Sequence, residues 1–375
     1  LRAEAAATAA ALGSALGIAD IAEILLTPSG TDATMLVTAL LAAERGDEPI
    51  VSIMVAADET GVGVPLAAAG RHFSELAAGS GRVQPGEPLR GLPAGMQTIH
   101  IAVRRDDGTV RDRDEIDAEF AAAAEAAPGR PVVHLIEASK TGLRVPDIVP
   151  PGVDVVVDAC QGRISPARLR SYLLQGWPVL LTGSKFYGGP AFCGAVLFPA
   201  ARRAAIDLAS LPSGLAAYYH DAGSIQPAAN LGTVLRWVAA LEEIRSFASG
   251  PLCDLLARMR RLADRIRARI ASTPTLVPVS MPADEPERPH AWPPSIVTFA
   301  VRDPGAPGRL LALPELRSLY RNIARDGVLV GQPVGIGASY GGLRIAIGAP
   351  TLRDPGIEPH LNRLFSSIER RTQLR

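Results

Sequence analysis

The chain has 375 residues, 47% apolar and 20% charged, which is enough to bury the core of two domains or of one large α/β body and too apolar for disorder. Basic and acidic residues both number 38, so the net charge is zero, and binding of nucleic acid or a membrane surface through bulk charge is not expected. Three widely spaced cysteines (Cys160, Cys193, Cys253) exclude a disulfide scaffold, and six scattered histidines offer no metal-ligating pair.

In chain order, residues 3–16 read as a helix and residues 23–26 as a short strand. A turn at Thr27-Pro28-Ser29-Gly30 precedes a helix over 31–44. Residues 49–55 and 96–103 are strands, and 113–126 a helix. Four further apolar runs of strand length lie at 131–136, 153–157, 178–182 and 195–198. Strands alternating with helices predict an α/β fold, a mostly parallel sheet of seven-stranded type sandwiched by helices. From about residue 225 the pattern changes. Long helical runs at 227–247 and 252–270 flank a restart signal, Ala248-Ser249-Gly250-Pro251. A loop (280–294), strands (295–301, 328–331, 343–347) and helices (310–323, 359–370) follow, with a Gly-rich loop expected over 331–342. The predicted division is a large domain over 1–245 and a smaller α+β domain over 246–375. No run of 18 apolar residues occurs, so no membrane span is expected. The start, Leu1-Arg2-Ala3-Glu4, lacks a basic segment and is not read as a signal peptide; a cytoplasmic location is expected.

Of the 38 basic residues, 36 are Arg and only Lys140 and Lys185 are Lys. Where Arg serves wherever a positive charge is enough, a surviving Lys points to a need for a primary amine, which can form an imine or lose its proton. For Lys140 the choice between a chance survivor and a functional amine stays open. Lys185 has a telling context. An apolar strand ends in Asp158-Ala-Cys-Gln161, and the next ends in Thr182-Gly-Ser184-Lys185. In a parallel sheet both ends lie at the carboxyl edge, where ligands bind. A carboxylate and an amine would meet there, the pair that pyridoxal phosphate (PLP) requires. The Ser29-Gly30-Thr31 turn before a helix supplies an anion site, although alone it also reads as an ordinary N-cap.

These segments resemble the fold-type I PLP enzymes, within them the class V aminotransferase and cysteine desulfurase-like group. Ser29-Gly30-Thr31-Asp32-Ala33 is similar to the group's phosphate-binding turn, Asp158-Ala-Cys-Gln161 to its Asp-Ala-x-Gln strand end, and Ser184-Lys185 to its Schiff-base lysine. Leu343-Arg344-Ile345 is similar to its carboxy-terminal Leu-Arg-Ile strand. The resemblance implies that Lys185 carries PLP and acts as base, and that Asp158 pairs with the ring nitrogen. It implies that Gln161 meets the ring hydroxyl, that Ser29, Gly30, Thr31, Thr182 and Ser184 hold the phosphate, and that Arg344 binds the substrate carboxylate. Glu137-Ala-Ser139-Lys140-Thr141-Gly142 is a looser match, in which Ser139 or Thr141 would reach the cofactor's ring hydroxyl or the substrate. Gly223-Ser224 resembles a pair that reaches a neighbouring subunit's phosphate, implying a homodimer with a shared site. The group usually places an aromatic over the ring after the strand that here is 49–55. This chain has none in 56–63, so Glu59 or Thr60, or His72 or Phe73 from the next segment, is expected there. The Gly61-Val-Gly63 stretch lacks a third Gly and is discounted as a dinucleotide loop. His100 and His134 read as satisfied core or strand-end residues and Cys160 as packing. Desulfurase chemistry is discounted because 331–342 contains no Cys.

The expected function is a PLP-dependent enzyme acting on an amino acid, first an aminotransferase. The alternatives are a PLP-dependent lyase and, more remotely, a non-catalytic α/β scaffold protein. No metal, nucleic acid or membrane partner is expected.

Overall fold

The computed structural model describes residues 1–46, 48–77, 81–146, 148–204, 211–218, 230–281, 289–306 and 308–373. Helix α1 (Arg2–Leu16) leads into strand β1 (Ala22–Thr27) and helix α2 (Gly30–Arg45). The strands that follow are β2 (Val51–Val55), the two-residue pair β3 (Leu76–Ala77) and β4 (Gly81–Arg82), β5 (Gln97–Ile101), β6 (Val132–Ile136), β7 (Asp154–Ala159), β8 (Val179–Thr182) and β9 (Gly194–Pro199). Among the described residues seven of them form one sheet in the order β1-β9-β8-β7-β6-β2-β5. β5, β2, β6, β7 and β8 run parallel, and β9 is antiparallel to both β8 and β1.

The sheet is covered on both faces, so its central strands read as unbroken apolar runs rather than as alternations. The period of two still sorts them. Val157, Leu181 and Leu197 pack with Leu12 and Leu16 of α1 and with Trp237 and Ile244 of the helix Leu231–Ala248. Val156, Leu180 and Val196 pack on the other face with Leu36 and Leu40 of α2. The Trp237 indole N–H donates to the Gly194 carbonyl at 2.8 Å, so the largest core side chain satisfies its one polar atom.

A second, antiparallel sheet has the order β10-β11-β13-β12, from β10 (Leu276–Pro278), β11 (Ile296–Val301), β12 (Gly331–Ile336) and β13 (Tyr340–Ala346). The predicted strand at 328–331 and loop over 331–342 are corrected here. Residues 328–330 are outside any strand, and β12 and β13 make a hairpin with Ile336 opposite Tyr340. Gly331, Pro333 and Gly335 dilute the strand signal, and only Val334 and Ile336 turn inward. No helix among the described residues is long and apolar enough to cross a membrane.

Candidate active site

The carboxyl ends of the parallel strands open into a cavity of about 380 Å³. Its lining contains every predicted site residue that lies among the described residues. These are Ser29, Gly30 and Thr31 after β1; Glu59 after β2; Ser139 after β6; Asp158 and Gln161 at β7; Thr182, Ser184 and Lys185 at β8; and Arg344 on β13. Ser224 lies outside the described residues.

The anion end is the start of α2. The Ser29 hydroxyl accepts from the Asp32 N–H at 3.2 Å and donates to the Asp32 carboxylate, so it is an N-cap as well as a cavity residue. Burial pushes the Asp32 carboxyl up to about 6. The Gly30 and Thr31 N–H groups open the helix and have no acceptor among the described residues. A Cβ at Gly30 would stand 2.7 Å from Cys160 Sγ and 3.3 Å from Thr182 Cγ2. Glycine therefore lets the helix start close against the ends of β7 and β8, with its positive dipole end on the cavity. The Thr182 hydroxyl donates to the Cys160 carbonyl at 2.6 Å and keeps its lone pairs for another donor.

Asp158 is buried, and burial raises its carboxyl above the ordinary value. One oxygen accepts the Cys160 N–H at 2.9 Å, and no cation lies within ion-pair distance among the described residues. Such a carboxylate gains from a cationic N–H placed against it. Burial and the neighbouring Asp158 push the Cys160 thiol well up, so it is a neutral packing group. Lys185 is exposed, with no side-chain partner among the described residues, and stands near enough to Lys140 and Cys160 to perturb both. An anion cradle that a Cβ would fill, a buried carboxylate without a cation and a free amine converge on one cavity. These residues fit PLP.

Glu59 has a different surrounding from the expected ring contact. It is buried; its Oε1 accepts from Arg104 Nε at 2.8 Å and its Oε2 from the Ser139 hydroxyl at 2.5 Å and from the Thr141 hydroxyl. Arg104 also donates to the Ser280 carbonyl at 2.8 Å. Glu59 and Ser139 thus satisfy each other at the cavity wall and fix the turn that carries Lys140. His72 and Phe73 stack on Tyr218, with ring centroids 5.7 and 5.4 Å apart, and neither lines the cavity; Phe192 does, at positive φ (65°) and 66% exposed. His134 is buried, but neither ring nitrogen has a partner among the described residues, which corrects the expectation of a satisfied histidine.

Sequence reasoning missed Arg104 and Arg163. Arg163 is buried and donates to Gln161 O (3.0 Å), Gln161 Oε1 (3.4 Å), Ser295 Oγ (2.9 Å) and Ile347 O (3.3 Å). It joins the end of β7 to the segments flanking β11 and β13. Nothing distinguishes these two from the other arginines along the chain; only the fold brings them in. Lys140 did carry a signal, the scarcity of Lys, and it lines the cavity.

No protein-family profile matches the chain, and no curated protein sequence matches it. Solved structures do. A cysteine desulfurase from Escherichia coli is similar with a TM-score of 0.60 at 16% identity, over 100% of this chain and 84% of that one. A C-DES mutant with glycine covalently linked to the PLP cofactor is similar with a TM-score of 0.62 at 13% identity, over 99% and 86%. An archaeal O-phosphoseryl-tRNA(Sec) selenium transferase is similar with a TM-score of 0.58 at 14% identity, over 98% and 75%. Identities this low speak for the fold and not for the activity. The chain has the fold of the fold-type I PLP enzymes, a mixed α/β body around a mostly parallel sheet.

Proposed function

We propose that the protein is a PLP-dependent enzyme acting on an amino acid. The observation that carries this reading is the meeting of Lys185, Asp158 and the free N–H groups of α2 in one cavity. The Gly30 and Thr31 N–H groups, with the hydroxyls of Thr31 and Ser184, would hold the phosphate, and the Thr182 hydroxyl would join them by turning from the Cys160 carbonyl. Asp158 would hold a proton on the ring nitrogen, Gln161 would meet the ring hydroxyl, and Lys185 would carry the cofactor. PLP, when bound, supplies an electron sink for the substrate's Cα. The chain's own part is to orient and to move protons. The Lys185 amine would be the base that takes the substrate's α-proton. Arg344 would orient the substrate by its carboxylate.

Within this class aminotransfer is the first reading, because it is the commonest chemistry on this scaffold, an argument from resemblance. A lyase reaction is the second, favoured by the desulfurase among the similar structures and by a tryptophan decarboxylase from Catharanthus roseus. Homodimerisation with a shared site and a cytoplasmic location belong to the same proposal and rest on the sequence. The test is spectral and covalent. Purified protein should take up PLP with a visible absorption band, and borohydride reduction should fix the label on Lys185. Lys185→Ala should lose the covalent label. A label on Lys140, or no uptake, overturns the reading and favours a non-catalytic scaffold in the latter case.

A further inference from the structure

The chain has two lysines against 36 arginines, and both line the same cavity. The reading above uses only Lys185. Lys140 is half-buried, and its ammonium has no hydrogen bond or ion pair among the described residues. A partly desolvated charge without a partner is costly to fold unless a ligand answers it. Its backbone is firmly held: the Lys140 N–H donates to the Glu59 carbonyl at 2.9 Å, and the Lys140 carbonyl accepts from Arg344 Nη1 at 3.1 Å. The Ser139 hydroxyl accepts from the Thr141 and Leu143 N–H groups at 3.2 and 3.0 Å and closes the turn around it.

The charges on the wall do not balance on the substrate side. The carboxylates lining the cavity are Glu59 and Asp158. Glu59 is taken by Arg104, at 2.8 Å, and Asp158 is the carboxylate that the PLP reading assigns to the ring nitrogen. Asp58 and Glu59 act on Lys140 only from beyond ion-pair distance, while Arg344 and Lys185 act as like charges. Arg344 spends Nε on the Gln332 carbonyl at 2.9 Å and one N–H of Nη1 on the Lys140 carbonyl, so the other Nη1 N–H and Nη2 are left to meet one carboxylate. A single carboxylate answers Arg344 and leaves Lys140 unanswered.

We propose that Lys140 is a substrate-binding residue which, beside Arg344, selects an amino acid carrying a second anionic group, a dicarboxylic amino acid. Arg344 takes the α-carboxylate and Lys140 the side-chain carboxylate. The inference rests on the PLP reading, and its test separates the two. Protein loaded with PLP is titrated calorimetrically with succinate, glutarate and adipate against butyrate, and with aspartate and glutamate against their amides. The wild type should bind its best dicarboxylate about tenfold to a hundredfold more tightly than butyrate, the range of one charge-assisted contact. Lys140→Met should bring that dicarboxylate down to the level of butyrate and leave butyrate unchanged. Lys140→Arg should keep part of the preference. Lys140→Gln stands in if the Met variant does not fold. Equal affinities in the wild type, an unchanged ratio in the variant, or equal loss of both acids overturns the proposal. Protein that carries PLP on Lys185 yet shows no such preference fails this inference alone. Protein without PLP fails the underlying reading and this one with it.

Discussion

Replacing Glu59 by Gln keeps the shape of the side chain and removes its charge. The Arg104 and Glu59 side chains are 1% and 2% exposed, so the guanidinium left behind has neither water nor a counter-ion. Its remaining bonds, to the Ser280 and Gly108 carbonyls at 2.8 and 3.2 Å and to Thr141 Oγ1 at 3.4 Å, are neutral. Removing one partner of a buried pair costs about 3–5 kcal/mol, mostly as the penalty of an unanswered charge. Arg104→Met should cost a similar amount. The double variant should cost less than the sum of the two, by about 2 kcal/mol or more, because it removes both charges together. Urea unfolding followed by circular dichroism reads all three. The same titration in the presence of PLP should show weaker retention of the cofactor in Glu59→Gln, since the Glu59 carboxylate accepts from the Ser139 and Thr141 hydroxyls at the cavity wall. A Glu59→Gln cost below about 1 kcal/mol, or strict additivity in the double variant, would refute the reasoning.

Burial holds the His134 imidazole at about 4 against an ordinary 6.5. The unfolded chain therefore takes up this proton before the folded one. The stability tied to it is complete above pH 6.5 and falls by roughly 3 kcal/mol as the pH drops to about 4. His134→Leu should flatten that part of the curve, and an unchanged wild-type-minus-variant difference across the window would sink the idea. Gly30→Ala should cost about 1–3 kcal/mol by overpacking and weaken PLP uptake. Gly30→Ala with Cys160→Ala should recover much of both, because Cys160 Sγ is the nearest obstacle at 2.7 Å. Asp158→Asn should keep PLP on Lys185 and lower kcat about 100-fold or more, on the scale of a misplaced proton; near-normal turnover would mean that another group holds the ring nitrogen.

The large sheet was legible because its central strands are buried on both faces. The runs read at 131–136, 153–157 and 178–182 correspond to β6 (Val132–Ile136), β7 (Asp154–Ala159) and β8 (Val179–Thr182). A strand end followed by a polar turn marked Asp158 and Lys185, because chemistry at a sheet edge must begin where the apolar run stops. The order of the strands left no such trace: nothing in residues 22–27 says that their neighbour is 194–199. The β12–β13 hairpin was hidden by Gly and Pro. The Glu59–Arg104 pair joins residues 45 apart in the chain, a relation that periodicity does not encode.

The placement of β1 beside β9 has a consequence for how the protein is made. β1 leaves the ribosome well before the strand it must pair with, which lies about 170 residues further on and follows roughly 10–35 s later at ordinary rates of synthesis. Throughout that interval Leu25 and Leu26 of β1 and the inner face of α1 have no finished sheet to cover them. The Ser29–Thr31 turn hangs from the same strand, so the anion cradle comes into being only when β9 closes the edge. The last strand of the large sheet to be made thus completes the anion cradle begun by the first. Nascent chains stalled before residue 194 should be sticky and unable to hold PLP, however complete their Asp158 and Lys185.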